Sequence, residues 1–174
     1  IRKKFSNIFI SLLTKYLEGL MFKYVDISTS VSKYEKSKIK KLYNVNTILY
    51  PNAINIDYKV GIKKITKDYI LYSGSYLYRP NKNAIDYLNN NIMPILLTKH
   101  PKIKLLLTGG GLKKKYPWVI NKNIIPKKEL YNLIYHSKCL CVPLKFGSGT
   151  RIKIIEALSI GAIVISSSKG IEGI

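Results

Sequence analysis

The sequence predicts an α/β protein, a Rossmann-like parallel sheet with helices on both faces. Three observations carry that expectation. Short strand-like runs alternate with helix-like stretches along most of the chain, the order that builds a parallel sheet. Tyr69–Thr108 reads as one complete β–α–β unit, whose crossover should be right-handed. Glycines follow three strand-like runs, at Gly74, at Gly109 and at Gly147–Thr150, which are the carboxyl ends where open parallel sheets bind ligands.

Taken in order, residues 3–24 place Phe5, Ile8, Phe9, Leu12, Leu13, Tyr16, Leu17 and Leu20 at helical spacing, with Lys3, Lys4, Lys15 and Lys23 beside the stripe. The expectation is an amphipathic helix packed on a sheet, with a membrane-surface helix as the alternative. Val25–Ser30 reads as a strand. Ser32-Lys33-Tyr34-Glu35 has capping-box spacing and should open a helix ending near Tyr43. Thr47–Tyr50 is another strand, closed by Pro51-Asn52-Ala53. Residues 54–67 are polar and lysine-rich, as a linker between domains would be. Tyr69–Ser73 is a β run ending at Gly74-Ser75. Pro80 suits the first turn of the helix that follows, because its missing N–H has no partner to lose there. Pro94 should break or kink that helix, with one more turn before Pro101. Lys104–Thr108 is the next strand, stopped by Gly109-Gly110-Gly111. Between 112 and 126 no strand is assigned: Lys113-Lys114-Lys115 is read as a solvated corner and Trp118 as packing. Lys127–Ser137 is a helix with Leu130, Leu133 and Ile134 inward, and His100 and His136 are read as surface or capping residues.

The most informative stretch is 142–165. It reads as a strand, the loop Gly147-Ser148-Gly149-Thr150, a helix, a stop at Gly161 and a second strand. A glycine loop opening into a helix presents free N–H groups and the positive end of the helix dipole to an anion. Arg151 and Lys153 add two cations there, which oppose the dipole of an isolated helix but suit a bound phosphate. The helix itself is apolar almost all round (Ile152, Ile154, Ile155, Ala157, Leu158, Ile160) and should be mostly buried. Its polar strip holds Lys153 and Glu156. Glu156 either accepts hydrogen bonds from a vicinal diol such as a ribose, or pairs with Lys153 at the surface.

Pro143-Leu144, Phe146–Arg151, Lys153, Glu156-Ala157-Leu158, Gly161 and Val164-Ile165 together resemble the donor-site signature of GT-B glycosyltransferases, in the family 4 branch written G-S-G-T-R-x-K-x-x-E-A. The order of elements over 25–53 and the loop Gly74-Ser75-Tyr76-Leu77-Tyr78-Arg79-Pro80-Asn81 resemble the same family. The resemblance implies a tail of the N-terminal acceptor domain at 1–53, a linker at 54–67 and an incomplete C-terminal nucleotide-sugar domain at 68–174, a truncated GT-B fold. It implies a hexosyl transfer from a nucleotide diphosphate sugar, with retention and with neither metal nor other cofactor. Glu156 would hold the donor ribose. Gly74, Ser75 and the Gly147–Thr150 loop would face the diphosphate, and Arg151 and Lys153 would stabilise the leaving group. Arg79 fits a phosphate contact only loosely. Many members carry a sugar-binding glutamate eight residues before the ribose glutamate; this chain has Gly147-Ser148 in that region. The base-reading strand of the family ends in glycine and valine, where this chain has Asn123-Ile124-Ile125-Pro126.

Composition bounds the remaining classes. The chain has 174 residues, 47% of them hydrophobic, enough for one good core or parts of two domains, and no apolar run reaches the length of a membrane span. The formal net charge of +21 raises anionic membrane or nucleic acid as partners. The lysines are scattered and come with many Ile, Asn and Tyr residues, so AT-rich coding is the first explanation, peripheral contact with an anionic membrane the second and nucleic acid the third. Cys139 and Cys141, alternate residues of one strand, are read as buried thiols of a reducing cytosol rather than metal ligands. The sequence starts at Ile1 and stops at Ile174, and is expected to be a piece of a longer cytoplasmic chain. Two other readings are carried: a basic Rossmann-like module binding nucleic acid, and a GT-B isomerase or phosphorylase with a similar cleft.

Overall fold

A computed structural model describes residues 2–55 and 67–174, with side chains from residue 8 onward in the first stretch. The expected linker at 54–67 lies largely outside the described residues. The chain divides into two compact units, one ending at Asn52 and one beginning at Ala53.

The first unit contains α1 (Arg2–Tyr24), β1 (Thr29–Ser30), α2 (Lys33–Tyr43) and β2 (Ile48–Leu49), with β1 and β2 paired in parallel. The capping box forms as expected. Ser32 Oγ accepts from the Glu35 N–H at 3.1 Å, and a Glu35 carboxylate oxygen accepts from the Val31 N–H at 3.2 Å. Asn44 ends α2 in the left-handed conformation, its N–H donating to the Lys40 carbonyl. Helix α1 meets α2 through Phe22, whose ring centroid is 5.2 Å from that of Tyr43, and through Glu18, which accepts from the Tyr43 hydroxyl. The expected packing of α1 on a sheet is not found within this unit. Phe9, Tyr16 and Met21 stand 68%, 64% and 66% exposed, because the two-residue strands offer no sheet face broad enough to cover a 23-residue helix.

The second unit holds a five-stranded sheet: β3 (Tyr69–Ser73), β4 (Lys104–Thr108), β5 (Val119–Asn121), β6 (Leu140–Val142) and β7 (Val164–Ser166). The order is β5-β4-β3-β6-β7 and every pairing is parallel, as expected. Leu71 on the central strand faces Leu106 on one side and Leu140 on the other. Tyr69–Tyr72, Leu105–Leu107 and Leu140–Val142 are buried without alternation, as strands covered on both faces must be. Between β3 and β4 run α3 (Arg79–Tyr87), a π-helical turn (Leu88–Ile92) and α4 (Met93–Lys99). Helix α5 (Lys127–His136) joins β5 to β6, and α6 (Ile152–Ser159) joins β6 to β7. Right-handed crossovers put α3 and α4 on one face of this order and α5 and α6 on the other. Tyr69 ties β3 to α5, its hydroxyl donating to the Leu133 carbonyl at 2.7 Å.

One element falls within the expected alternatives and one does not. The regular α-helix is interrupted ahead of Pro94 and one further helical segment precedes Pro101, while the crossover stays helical throughout. The backbone widens into the π turn, where the Met93 N–H reaches the Leu88 carbonyl, and α4 continues with Pro94 in its first turn. A proline there has no helical hydrogen bond to break, and the wide turn relieves its ring of the carbonyl behind it. Strand β5, not assigned from sequence, forms at Val119–Asn121 with two of its three side chains exposed, because an edge strand needs only one covered face. Trp118 beside it packs as expected, its indole N–H donating to Asn89 Oδ1 at 3.1 Å. No helix among the described residues is long and apolar enough to cross a membrane.

Candidate functional site

Strand order reverses direction at β3 and β6, so the chain leaves these neighbouring strands toward opposite faces. The crevice at such a switch point is where parallel sheets place ligands. The loops that meet there carry the residues singled out from sequence.

The loop after β3 is Gly74-Ser75. It is held from beneath by Asn81, which donates to the Ser75 carbonyl at 3.1 Å and accepts from the Tyr72 hydroxyl at 2.8 Å. Burial pushes the Tyr72 phenol up, so it stays a neutral donor. Gly109, after β4, lies against this loop: a Cβ on it would stand 2.5 Å from the Gly74 carbonyl carbon. Only glycine permits that approach of two backbones.

The Gly147-Ser148-Gly149-Thr150 loop follows β6. A Cβ on Gly147 would stand 2.9 Å from the Arg151 guanidinium and 3.6 Å from Pro80 of α3, so this loop touches the start of the other crossover. Arg151 is the N-cap residue of α6, one position earlier than expected. Its guanidinium folds back onto its own loop, donating to the Ser148 carbonyl and, at 2.6 Å, to the Gly149 carbonyl. Its Nε and the Thr150 hydroxyl are buried with no hydrogen-bond partner among the described residues.

Lys153 spans the crevice. Its ammonium donates to the Ser73 carbonyl at the end of β3 and lies 4.6 Å from the Tyr72 ring centroid. Burial, and then the Arg151 charge, hold it down to about 8. The pairing of Lys153 with Glu156 left open by the sequence does not form, because Lys153 turns under β3 while Glu156 turns toward α5. Glu156 Oε1 accepts from the Tyr131 hydroxyl at 2.8 Å and from the Lys127 ammonium at 3.0 Å. The carboxylate side chain is 14% exposed.

Helix α6 is less buried than its composition implies. Ile154 and Ala157 are in the core, whereas Ile152 and Leu158 are exposed, because only one side of the helix meets the sheet. Arg79 is exposed, its guanidinium 5.5 Å from the Phe146 ring centroid, which brings the two loops together across their mouths. A groove of about 930 Å³ lies elsewhere, on the sheet face between α4 and the Cys139–Cys141 side of β6; its lining includes none of these loop residues. The two thiols lie 3.6 Å apart there, both free and buried. Among the described residues no three His, Cys, Asp or Glu side chains gather.

Sequence reasoning missed Asn81, Tyr72, Tyr131 and Lys127. Asn81, one helical turn past the first loop, carries a weak local signal. The other three have none, since their roles arise only when strands and helices distant in sequence are packed.

The parallel sheet with helices on both faces is a Rossmann-like α/β fold, and its switch-point crevice is lined by two glycine loops and two cations. The sequence model for "Glycosyl transferases group 1" matches residues 67–174, which include all five strands of the sheet, β3 to β7. The chain therefore belongs to the group 1 glycosyl transferases. It is also 26% identical over 180 residues to an uncharacterised 44.6 kDa protein in the cps region of Klebsiella pneumoniae, a match covering 91% of this chain and 45% of that protein. The chain thus spans less than half the length of this relative.

Proposed function

We propose that the second unit is the nucleotide-sugar half of an enzyme that moves a hexosyl group, with retention, from a nucleoside diphosphate sugar to an acceptor. The observation that carries this reading is the pair of neighbouring cations, Arg151 and Lys153, at the switch point. Lys153 is held below its ordinary range by burial and by Arg151, and no carboxylate pairs with either among the described residues. Two partly desolvated like charges are unfavourable together unless an anion joins them. Perturbed groups gathered in a crevice are a mark of function. A diphosphate supplies the anion, the Gly147–Thr150 loop and Gly74-Ser75 supply close backbone, and the buried Thr150 hydroxyl and Arg151 Nε supply donors.

In this reading the reaction needs the leaving diphosphate stabilised more strongly as the glycosidic bond breaks. Arg151 and Lys153 have that role, and Glu156 holds the donor ribose. No metal is required by this set of residues. The first unit would belong to the acceptor side, with the acceptor a glycan, lipid or other small molecule. The relative's cps region suits a place in polysaccharide biosynthesis. Work on the cytoplasmic side, with peripheral contact between α1 and an anionic membrane, is part of the same proposal.

The test is kinetic. In the complete enzyme with its cognate donor, Glu156→Gln removes a charged acceptor worth about 1.5–3 kcal/mol, so donor affinity or turnover should fall about tenfold to a hundredfold. Lys153→Ala should lower kcat more than it raises KM, because the diphosphate gains charge in the transition state. Rates within about twofold of wild type for both variants, the range of ordinary surface substitutions, would remove this reading.

A further inference from the structure

The contacts of Glu156 are unequal between its two oxygens. Tyr131 and Lys127 are four residues apart on α5, hence on one face of that helix. Both donate to the same atom, Oε1, at 2.8 and 3.0 Å. Oε2 has no partner among the described residues. The Tyr131 ring is buried, 5% exposed, so its hydroxyl is delivered from a fixed body. The Lys127 ammonium closes the triangle, 5.4 Å from that ring's centroid. Lys127 occupies the first position of α5, where a cation opposes the helix dipole. The Glu156 carboxylate is what offsets that placement.

Both helices begin at the carboxyl ends of the sheet strands, so this triangle lies on the ligand side of the fold. A carboxylate offers about four acceptor positions. With Oε1 taken by two donors, the remaining acceptor capacity is concentrated on Oε2, and the side chain loses the rotamer freedom that binding would otherwise have to remove. From this geometry we infer that Tyr131 and Lys127 are positioning residues. They hold Glu156 by one oxygen so that the other is presented to the ribose hydroxyls of a nucleoside diphosphate. The inference rests on the ribose role proposed above for Glu156 and goes beyond it by naming what fixes the carboxylate.

The experiment compares ribose with deoxyribose. UDP, GDP and ADP, and the 2′-deoxy and 3′-deoxy form of each, are titrated into the full chain by calorimetry, for wild type, Glu156→Gln, Tyr131→Phe and Lys127→Met. Tyr131→Phe keeps the ring in its packing, and Lys127 is an exposed side chain, so both variants are expected to fold; thermal denaturation checks this. Wild type should prefer one ribonucleotide over its deoxy form by about tenfold or more, the size of a charged hydrogen bond. Glu156→Gln should abolish most of that ratio. Tyr131→Phe and Lys127→Met should each shrink it by about threefold or more while leaving the deoxy form bound as in wild type. Equal weakening of both forms would mark Tyr131 and Lys127 as merely structural and overturn the inference. A ratio that collapses in Glu156→Gln but survives in both α5 variants would overturn it too, leaving the ribose role of Glu156 intact. A ratio unaltered by Glu156→Gln, or no binding of the three nucleotides to wild type, would overturn the ribose role itself and the inference with it.

Discussion

Lys153 is the residue whose environment is most at odds with its chemistry. A lysine ordinarily titrates near 10.4, and this one is held down to about 8, by burial first and by Arg151 second. Its cation is therefore disfavoured in the folded state relative to the unfolded chain. That penalty is present in full below about pH 8 and is relieved as pH rises toward the unfolded value, so this group makes stability rise with pH between the two. Lys153→Met is expected to lose that rise, read as the difference between wild-type and variant unfolding temperatures from pH 7 to pH 10. Anion binding has the opposite sign. A diphosphate beside the ammonium favours its protonated form, so UDP or GDP affinity should decline as pH passes about 8 in wild type. In Lys153→Met it should be weaker and flat over the same range. Titration calorimetry at pH 7 and pH 9 checks both.

At the scale of elements, the site depends on two backbones that touch. Gly109 has φ +105, and a Cβ on it would meet the Gly74 carbonyl carbon at 2.5 Å and the Ser75 nitrogen at 2.7 Å. Neither neighbour is a side chain that could swing away. Gly109→Ala is thus expected to destabilise the second unit by about 1–3 kcal/mol or more from backbone strain alone, and to part the β3 and β4 loops. Chemical denaturation measures the first effect. Loss of nucleotide binding in variant that remains folded measures the second. The neighbouring α3–α4 element shows the reverse kind of accommodation: Pro94 is absorbed by a π turn at Leu88–Ile92, so one continuous helical crossover covers the sheet instead of two broken pieces.

For the molecule as a whole, the charge of +21 is large, and several of its cations meet separate partners. Lys127 meets Glu156, Lys138 meets Asp68 at 3.1 Å, Lys169 meets Glu172, and Lys153 turns into the crevice. Scattered charge of this kind gives non-specific attraction without readout of bases. Binding to random duplex DNA should be weak at physiological salt, in the ~10⁻⁴–10⁻⁶ M non-specific range, and should fall steeply as salt is raised. Fluorescence anisotropy on duplexes of unrelated sequence checks it; tight binding to one sequence alone would favour the nucleic-acid module over the transferase reading.

The sequence by itself determined the parallel α/β sheet, the capped helix α2 and the places of the glycine loops, because these follow from local periodicity, capping chemistry and backbone freedom. Ser32 with Glu35, Pro80 in the first turn of α3 and Gly147–Thr150 ahead of α6 were each legible within a few residues of chain. Edge strand β5 was not, since three residues with one covered face leave almost no periodic signal. Only the tertiary structure decided where Lys153 and Glu156 point. Three apart on one helix, they look like partners. The packed sheet instead draws Lys153 to the Ser73 carbonyl, 80 residues away in sequence, and α5 draws Glu156 to Tyr131 and Lys127. A side chain's partner is set by which groups of opposite polarity share its desolvated space, and that space is made by strands and helices the local sequence does not contain.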